Sequence, residues 1–232
     1  MRIAVLETDE LPADLRGDFG GMTEMMARWL SPSLPGAAFV PVAVTRAAPL
    51  PDPQDFDGYV ITGSRAGVYD PEPWIAPLEA FLHALRGAER PMVGVCFGHQ
   101  LMAQAFGGRV EKSAEGFLVG RRVARILPGW PGEKADLPVL AYHQDQVVAP
   151  PEGAQILARY EGCAFAALGY DFPALSVQWH PEFDLAIMER LLDHHSAASL
   201  GPEGIAQARA TLGEPADGTA TGQAAARVLR RA

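Results

Sequence analysis

The amino-acid sequence predicts an α/β domain with a largely parallel sheet and a partly antiparallel second half. Three observations carry this. Short apolar runs, each the length of a buried strand, alternate with longer stretches of helical periodicity. In the second half several strand-like runs follow one another with only short turns between them, which suits antiparallel pairing. With 48% hydrophobic residues in 232, the chain can bury a full core, and no internal repeat or long linker divides it.

Taken in order, Ile3–Leu6 reads as the first strand and Met22–Leu30 as the helix that follows. Phe39–Val44 is a second strand. Gly58–Thr62 is a third, ending in the turn Gly63-Ser64-Arg65-Ala66-Gly67. Trp74–Leu85 is helical, and Pro91–Val95 is a strand that runs directly into Cys96. Gly98–Phe106 is a helix stopped by Gly107-Gly108, because glycine readily takes the left-handed conformation at a helix end. Arg122–Leu127, Val139–Tyr142, Ala154–Arg159, Ala164–Tyr170 and Ala174–Gln178 read as successive strands, and Asp184–His195 as the helix that closes the core. The stretch Leu200–Ala232, rich in Ala, Gly, Thr and Glu, holds two helices around the breaker Gly213-Glu214-Pro215. The expectation is one domain over 1–232, with a core of residues 1–195 and a C-terminal helical extension over 200–232.

The net charge of −9 argues against nucleic acid as a partner, since phosphate binding needs a basic patch. Of the 19 basic residues only Lys112 and Lys134 are lysine, a bias that fits a GC-rich genome better than a function. Two cysteines make no disulfide framework and suggest a reducing compartment. The start Met1-Arg2-Ile3-Ala4-Val5-Leu6-Glu7 turns acidic too early for a signal peptide, and no apolar run nears the ~20 residues needed to span a bilayer. The expected setting is cytoplasmic, with no membrane partner.

Gly94-Val95-Cys96-Phe97-Gly98 is a G-x-C-x-G between a buried strand and a helix, the nucleophile-elbow arrangement with Cys in place of Ser. A strained elbow needs small neighbours, which glycine at 94 and 98 supplies. A sulfur there sits at a helix N-terminus, where unpaired N–H groups and the helix dipole favour thiolate over thiol. On its own the motif is equally a small buried residue at a strand end. Gln178-Trp179-His180-Pro181-Glu182-Phe183 follows a core strand and sets a base and a carboxylate two residues apart on a turn fixed by Pro181. Glu182 can then hold the His180 imidazole in one tautomer, the logic of a nucleophile, a base and an orienting group. Alone, this segment reads as a surface turn. His99 reads as a packed helix residue, Cys163 as core, and His194-His195 as neighbours on a helix, about 100° apart and unable to share a metal as an i, i+4 pair would.

Together and in this order the two segments resemble the class I glutamine amidotransferase family. Val93-Gly94-Val95-Cys96-Phe97-Gly98-His99-Gln100 is similar to its nucleophile signature, and Val177-Gln178-Trp179-His180-Pro181-Glu182 to its His-x-Glu signature. The resemblance follows the strand order over residues 1–195. It implies an open, flavodoxin-like α/β sheet flanked by helices and a triad of Cys96, His180 and Glu182, with no cofactor and no metal. It also implies oxyanion donors at the N–H of Phe97 and in the Gly63-Ser64 turn. The family more usually has Gly-Gly-Pro where this chain reads Gly63-Ser64-Arg65, so the donating N–H of that turn stays open. Gln100 corresponds to a position that contacts the amino-acid end of the substrate. Tyr142-His143-Gln144-Asp145 corresponds to the segment that closes over bound glutamine, often His-Ser-Leu elsewhere. Gln144 and Asp145 can still offer backbone contacts, and substrate identity is what the change leaves open. His143 and Asp145 read equally as an exposed turn pair.

The function implied is hydrolysis of the γ-glutamyl carboxamide of a small-molecule substrate through a thioester. Ammonia released from glutamine would pass to a separate ammonia-accepting synthetase subunit, or the protein acts alone. The alternative is a γ-glutamyl peptidase, since stand-alone members with Cys-Phe-Gly-His-Gln and a Thr-Gly-Ser turn include such enzymes. A non-catalytic regulatory subunit is a third reading, and a metal hydrolase using Cys96, His143 and His180 a fourth.

Overall fold

Strand and helix alternate from the first residues, and the apolar positions of each strand decide which face of one sheet they cover. The computed structural model describes the chain apart from residues 47–48, 115, 134, 195–199, 217 and 232. The helix end expected at His195 therefore lies outside the described residues. In chain order the strands are β1 (Arg2–Glu7), β2 (Ala38–Ala43), β3 (Gly58–Ile61), β4 (Met92–Val95), β5 (Arg109–Lys112), β6 (Leu118–Ile126), β7 (Leu137–His143), β8 (Asp145–Ala149), β9 (Gln155–Tyr160), β10 (Cys163–Gly169) and β11 (Ala174–Val177). The helices are α1 (Ala13–Phe19), α2 (Met22–Leu30), α3 (Ile75–Gly87), α4 (Phe97–Ala105), α5 (Leu185–His194), α6 (Gly201–Ala210) and α7 (Thr219–Leu229).

The main sheet runs β2-β1-β3-β4-β11-β10-β9-β6-β7. Its first five strands are parallel, with β11 returning from far downstream to lie beside β4. From β11 onward every pairing is antiparallel. The parallel part is the open sheet the sequence predicts, and the antiparallel part is its closely spaced second half. Because side chains alternate across a strand, Ile3 and Val5 of β1 join the core under α2 and α7, whereas Ala4 and Leu6 join the core under α3 and α4.

Five features depart from the sequence reading. Helix α1 is extra, a surface turn with only Leu15 buried. β5 and β8 form a small separate sheet, and β6 begins at Leu118 rather than Arg122. Helix α4 begins at Phe97, because the sharp bend falls entirely on Cys96. Finally, the C-terminal stretch does contain two helices around Gly213-Glu214-Pro215, and the second is built into the core. Ala224, Ala225, Ala226 and Leu229 are buried with Trp29 and Val93. Among the described residues no helix is long and apolar enough to cross a membrane.

Candidate active site

Cys96 stands at the junction of β4 and α4 with φ 52° and ψ −102°, a conformation L-residues rarely adopt. Such a bend persists only when its surroundings fix it. The Cys96 N–H donates to the Val177 carbonyl at 2.9 Å, tying the bend to the end of β11. A Cβ on Gly94 would stand 2.6 Å from Gly98 backbone atoms, and one on Gly98 would overlap the Ile61 carbonyl of β3. Glycine at these two positions is what lets α4 start against the sheet. Gly98 N–H then donates to Thr62 O at 3.1 Å, and the Cys96 sulfur is left at the start of α4, 4.0 Å from the Tyr142 carbonyl.

His180 arrives from the other side of the bend, just beyond β11. Its N–H donates to Leu140 O of β7 at 2.9 Å, which locks the turn to the sheet. Its Nδ1 donates to Glu182 Oε1 at 2.7 Å, and the carboxylate is 1% exposed. The Phe183 ring lies flat against the imidazole, centroids 4.1 Å apart and planes within 7°. Cys96 lies on the other side of the imidazole, close enough for its sulfur to act on the ring electrostatically. Since Nδ1 is held by Glu182, Nε2 is the atom left for the sulfur. Burial alone would push the imidazole down, but Glu182 and Cys96 on either side outweigh it and raise its pKa to about 10. Gly63 makes the meeting possible: a Cβ there would stand 3.0 Å from His180 Cε1 and 3.6 Å from Cys96 Cβ.

Cys96 and His180 open into a cavity of about 390 Å³. Gly63, Ser64, Gln100, His143, Gln144 and Asp145 all line it. Phe97 is fully buried, and it contributes the first N–H of α4. The Gly63 turn is fixed by Thr8, whose hydroxyl donates to Gly63 O at 2.9 Å. Gln100 is braced rather than free: its Nε2 donates to Asp145 O at 2.7 Å and to Gln178 Oε1 at 3.2 Å. His143 and Asp145 do not form an exposed turn pair. His143 is 4% exposed, donates from Nδ1 to Asp145 O at 3.0 Å and accepts at Nε2 from the Tyr160 hydroxyl at 2.7 Å. Burial keeps it neutral, with a pKa of about 4. The Asp145 carboxylate accepts from Tyr69 at 2.7 Å.

Three site residues escaped sequence reasoning. Phe183 was in plain view, directly after His-Pro-Glu, and an aromatic there is a natural partner for an imidazole. Tyr69 and Tyr160 carry no local signal, because they reach the site only through the fold. His99 is buried against Ser176, Nδ1 to Oγ 2.8 Å, and Cys163 is core, its thiol pushed up to about 12 by burial. Among the described residues no three His, Cys, Asp or Glu side chains are arranged to hold a metal ion.

An open α/β sheet that presents a cysteine at a strand-to-helix elbow, facing a histidine held by a carboxylate, defines a class of thiol-bearing α/β folds. Residues 19–194 match the family described as Glutamine amidotransferase class-I, and the chain belongs to this family of enzymes. It is similar to Gamma-glutamyl peptidase 5 of Arabidopsis thaliana, 29% identical over 174 residues that cover 70% of this chain and 69% of the relative. It is 35% identical over 146 residues to the glutamine-hydrolyzing GMP synthase subunit of Archaeoglobus fulgidus, covering 60% of this chain and 73% of that one. The matched stretches span only 62% and 60% of Arabidopsis gamma-glutamyl peptidases 3 and 2. In fold it resembles a glutamine amido transferase from Methylobacillus flagellatus, with a TM-score of 0.77 at 23% identity over 99% of this chain and 93% of that one.

Proposed function

We propose that this protein hydrolyses a γ-glutamyl amide, with Cys96 as nucleophile, His180 as proton carrier and Glu182 as the group that orients it. One observation carries the reading: Cys96 and His180 meet at Gly63 and line one cavity, while the imidazole is held from behind at 2.7 Å by a buried carboxylate. In the resting site the proton resides on the imidazole, in keeping with its raised pKa. The sulfur attacks Cδ of the γ-glutamyl group, and the carbonyl oxygen takes up the negative charge. In this reading the N–H groups of Phe97 and of the Gly63-Ser64 turn donate to that oxygen, and each such donor is worth ~10²–10³ in rate. The imidazolium gives its proton to the departing nitrogen, the C–N bond breaks and a thioester remains. Once acylated the sulfur carries no charge, so one of the two groups that held the proton on His180 is gone. The imidazole then takes a proton from water, hydroxide oxygen bonds to the thioester carbon, and the sulfur leaves with the C–S electron pair.

The closeness to gamma-glutamyl peptidases and to a glutamine-hydrolysing synthase chain supports an amide of this kind. On the second resemblance, ammonia released from glutamine would be handed to a separate synthetase subunit. Gln100, His143, Gln144 and Asp145 frame the γ-glutamyl end of the cavity in this reading, chiefly through backbone groups. The whole chain acts as one domain, in a compartment that keeps both cysteines reduced.

The test is Cys96→Ala against a panel of glutamine and γ-glutamyl dipeptides. Turnover should fall by ~10⁴-fold or more with an unchanged circular dichroism spectrum, and His180→Ala should do nearly the same. A γ-glutamyl electrophile should add one equivalent of mass at Cys96. Normal turnover in Cys96→Ala would overturn the mechanism.

A further inference from the structure

Beside His180 the cavity wall changes character. The imidazolium must reach the departing nitrogen, so whatever that nitrogen carries has to lie on the His180 side. There Phe183 is stacked on the imidazole, and Tyr142 packs against Phe117 with ring centroids 6.3 Å apart. Leu11, Met22 and Leu191 line the same cavity. All six line the cavity; five are half-buried and Leu191 is buried. They come from separate parts of the fold: the loop before α1, the start of α2, the loop before β6, β7, the turn after β11, and α5. A wall assembled from six elements is a built surface. The acidic side chains that line the cavity are engaged: Asp9 by Arg65, Glu10 by Arg46, Asp70 by the Gly67 N–H and Asp145 by Tyr69.

We propose that this wall is a subsite for the amine portion of the substrate, and that the amide cleaved joins a γ-glutamyl group to a large apolar amine, such as an aromatic or branched aliphatic amino acid. The inference rests on the reading of Cys96, His180 and Glu182 given above and adds the identity of the leaving group. The cavity must hold the γ-glutamyl group as well as what the nitrogen carries; at about 390 Å³ it falls in the ~300–1,000 Å³ range of small-molecule sites, whereas ammonia would add only about the room of one water, ~30 Å³. With glutamine bound, the apolar wall stays wet. An isobutyl or benzyl group covers it and removes apolar surface from water on both partners. Even a methylene or two in an apolar pocket discriminates ~10–200-fold, so a whole apolar side chain against a hydrogen should give a ratio of about 10² or more.

The experiment compares kcat/KM of the full-length protein on γ-glutamyl-phenylalanine, γ-glutamyl-leucine, γ-glutamyl-glycine and glutamine. The expected result is a preference of about 10²-fold or more for the first two over glutamine. In Phe117→Ser and in Leu11→Ser that ratio should shrink by ~10-fold. Glutamine or γ-glutamyl-glycine cleaved as fast as the apolar pair would overturn the subsite and leave the triad reading standing. Cleavage of none of the four would overturn both. An unchanged ratio in the two variants, with the wild-type preference intact, would move the subsite to another wall and overturn this one. A variant that fails to fold leaves the wild-type comparison to decide.

Discussion

Replacing Gly98 by alanine strikes the contact on which the elbow is built. A Cβ there would stand 2.9 Å from Ile61 Cβ and 3.0 Å from its carbonyl carbon, and nearer still to the carbonyl oxygen. None of these atoms is the free end of a flexible side chain, so β3 cannot swing aside. Carbon atoms rest ~3.5–4.0 Å apart, and α4 must therefore back away by on the order of 1 Å. Overpacking of this sort costs about 1–3 kcal/mol. The 3.1 Å bond from Gly98 N–H to Thr62 O stretches with it, and such a bond contributes ~0.5–1.5 kcal/mol. A loss of about 2–4 kcal/mol lowers Tm by roughly 5–15 °C in a chain of this size. Activity suffers separately, because Cys96 and the Phe97 N–H move with the start of α4, and a 1 Å misplacement costs ~10²-fold. Urea unfolding followed by circular dichroism reads the first effect, and kcat/KM on a γ-glutamyl amide reads the second. Gly107→Ala is the control: φ is +98° there but nothing lies within 4 Å, so only the backbone conformation is strained. A Gly98→Ala protein with wild-type midpoint and rate would show that α4 does not press on β3 and that the account of the bend is wrong.

Glu182→Gln should cut kcat/KM by about 10²–10⁴-fold and move its alkaline limb to lower pH. The sign follows from the raised His180 pKa: the imidazolium and its contribution to stability are complete below 6.5 and are lost as pH rises through about 10. An alkaline limb that stays in place in the variant would count against Glu182 as the group that holds the proton there. Tyr160→Phe strips His143 Nε2 of its 2.7 Å donor and should cost about 1–3 kcal/mol in thermal unfolding. KM should rise more than kcat falls, because His143 holds the Asp145 carbonyl rather than the reacting atoms; equal changes in both would refute that role. Gly218→Ala would bring a Cβ within 2.8 Å of Trp29 Cδ1 and 2.9 Å of the Pro181 carbonyl carbon. Tm and kcat should fall together, and a stable but inactive or an active but unstable variant would separate the two.

The geometry of the candidate site was legible wherever it was written in adjacent residues. Gly94, Cys96 and Gly98 announce a bend because a Cβ on Gly94 would stand only 2.6 Å from the Gly98 backbone. His180 and Glu182 announce a pair because Pro181 leaves them few ways to point. The elements missed or misjudged have the opposite property. In α1 only Leu15 is buried, so no apolar stripe marks it. In β5 only Val110 is buried, and the strand exists because β8 lies beside it. Gln100 Nε2 donates to Asp145 O and to Gln178 Oε1, a bracing that no local signal marks. Nothing in the local sequence shows which partner an amide will find across the sheet.

The C-terminal stretch shows how far the site depends on the rest of the chain. Alanine carries a weak hydrophobic signal, and Thr-Ala-Thr-Gly-Gln-Ala-Ala-Ala therefore reads as an appendage. Small side chains are also what allow two helices and a sheet to close to short range. Helix α7 packs on α2, β4 and β11, with Gly222 so near Trp29 that a Cβ would meet Nε1 at 3.1 Å. Trp29 Nε1 donates to Gly218 O at 3.0 Å, and Trp179 Nε1 donates to Thr221 Oγ1 at 3.2 Å. Gly218 in turn presses on the carbonyl of Pro181, the residue between His180 and Glu182. The turn that carries His180 is thus held in front by Leu140 and behind by the last helix. Removing that helix would expose Trp179 and free the turn, and the 2.7 Å bond between His180 and Glu182 would lose the frame that sets it.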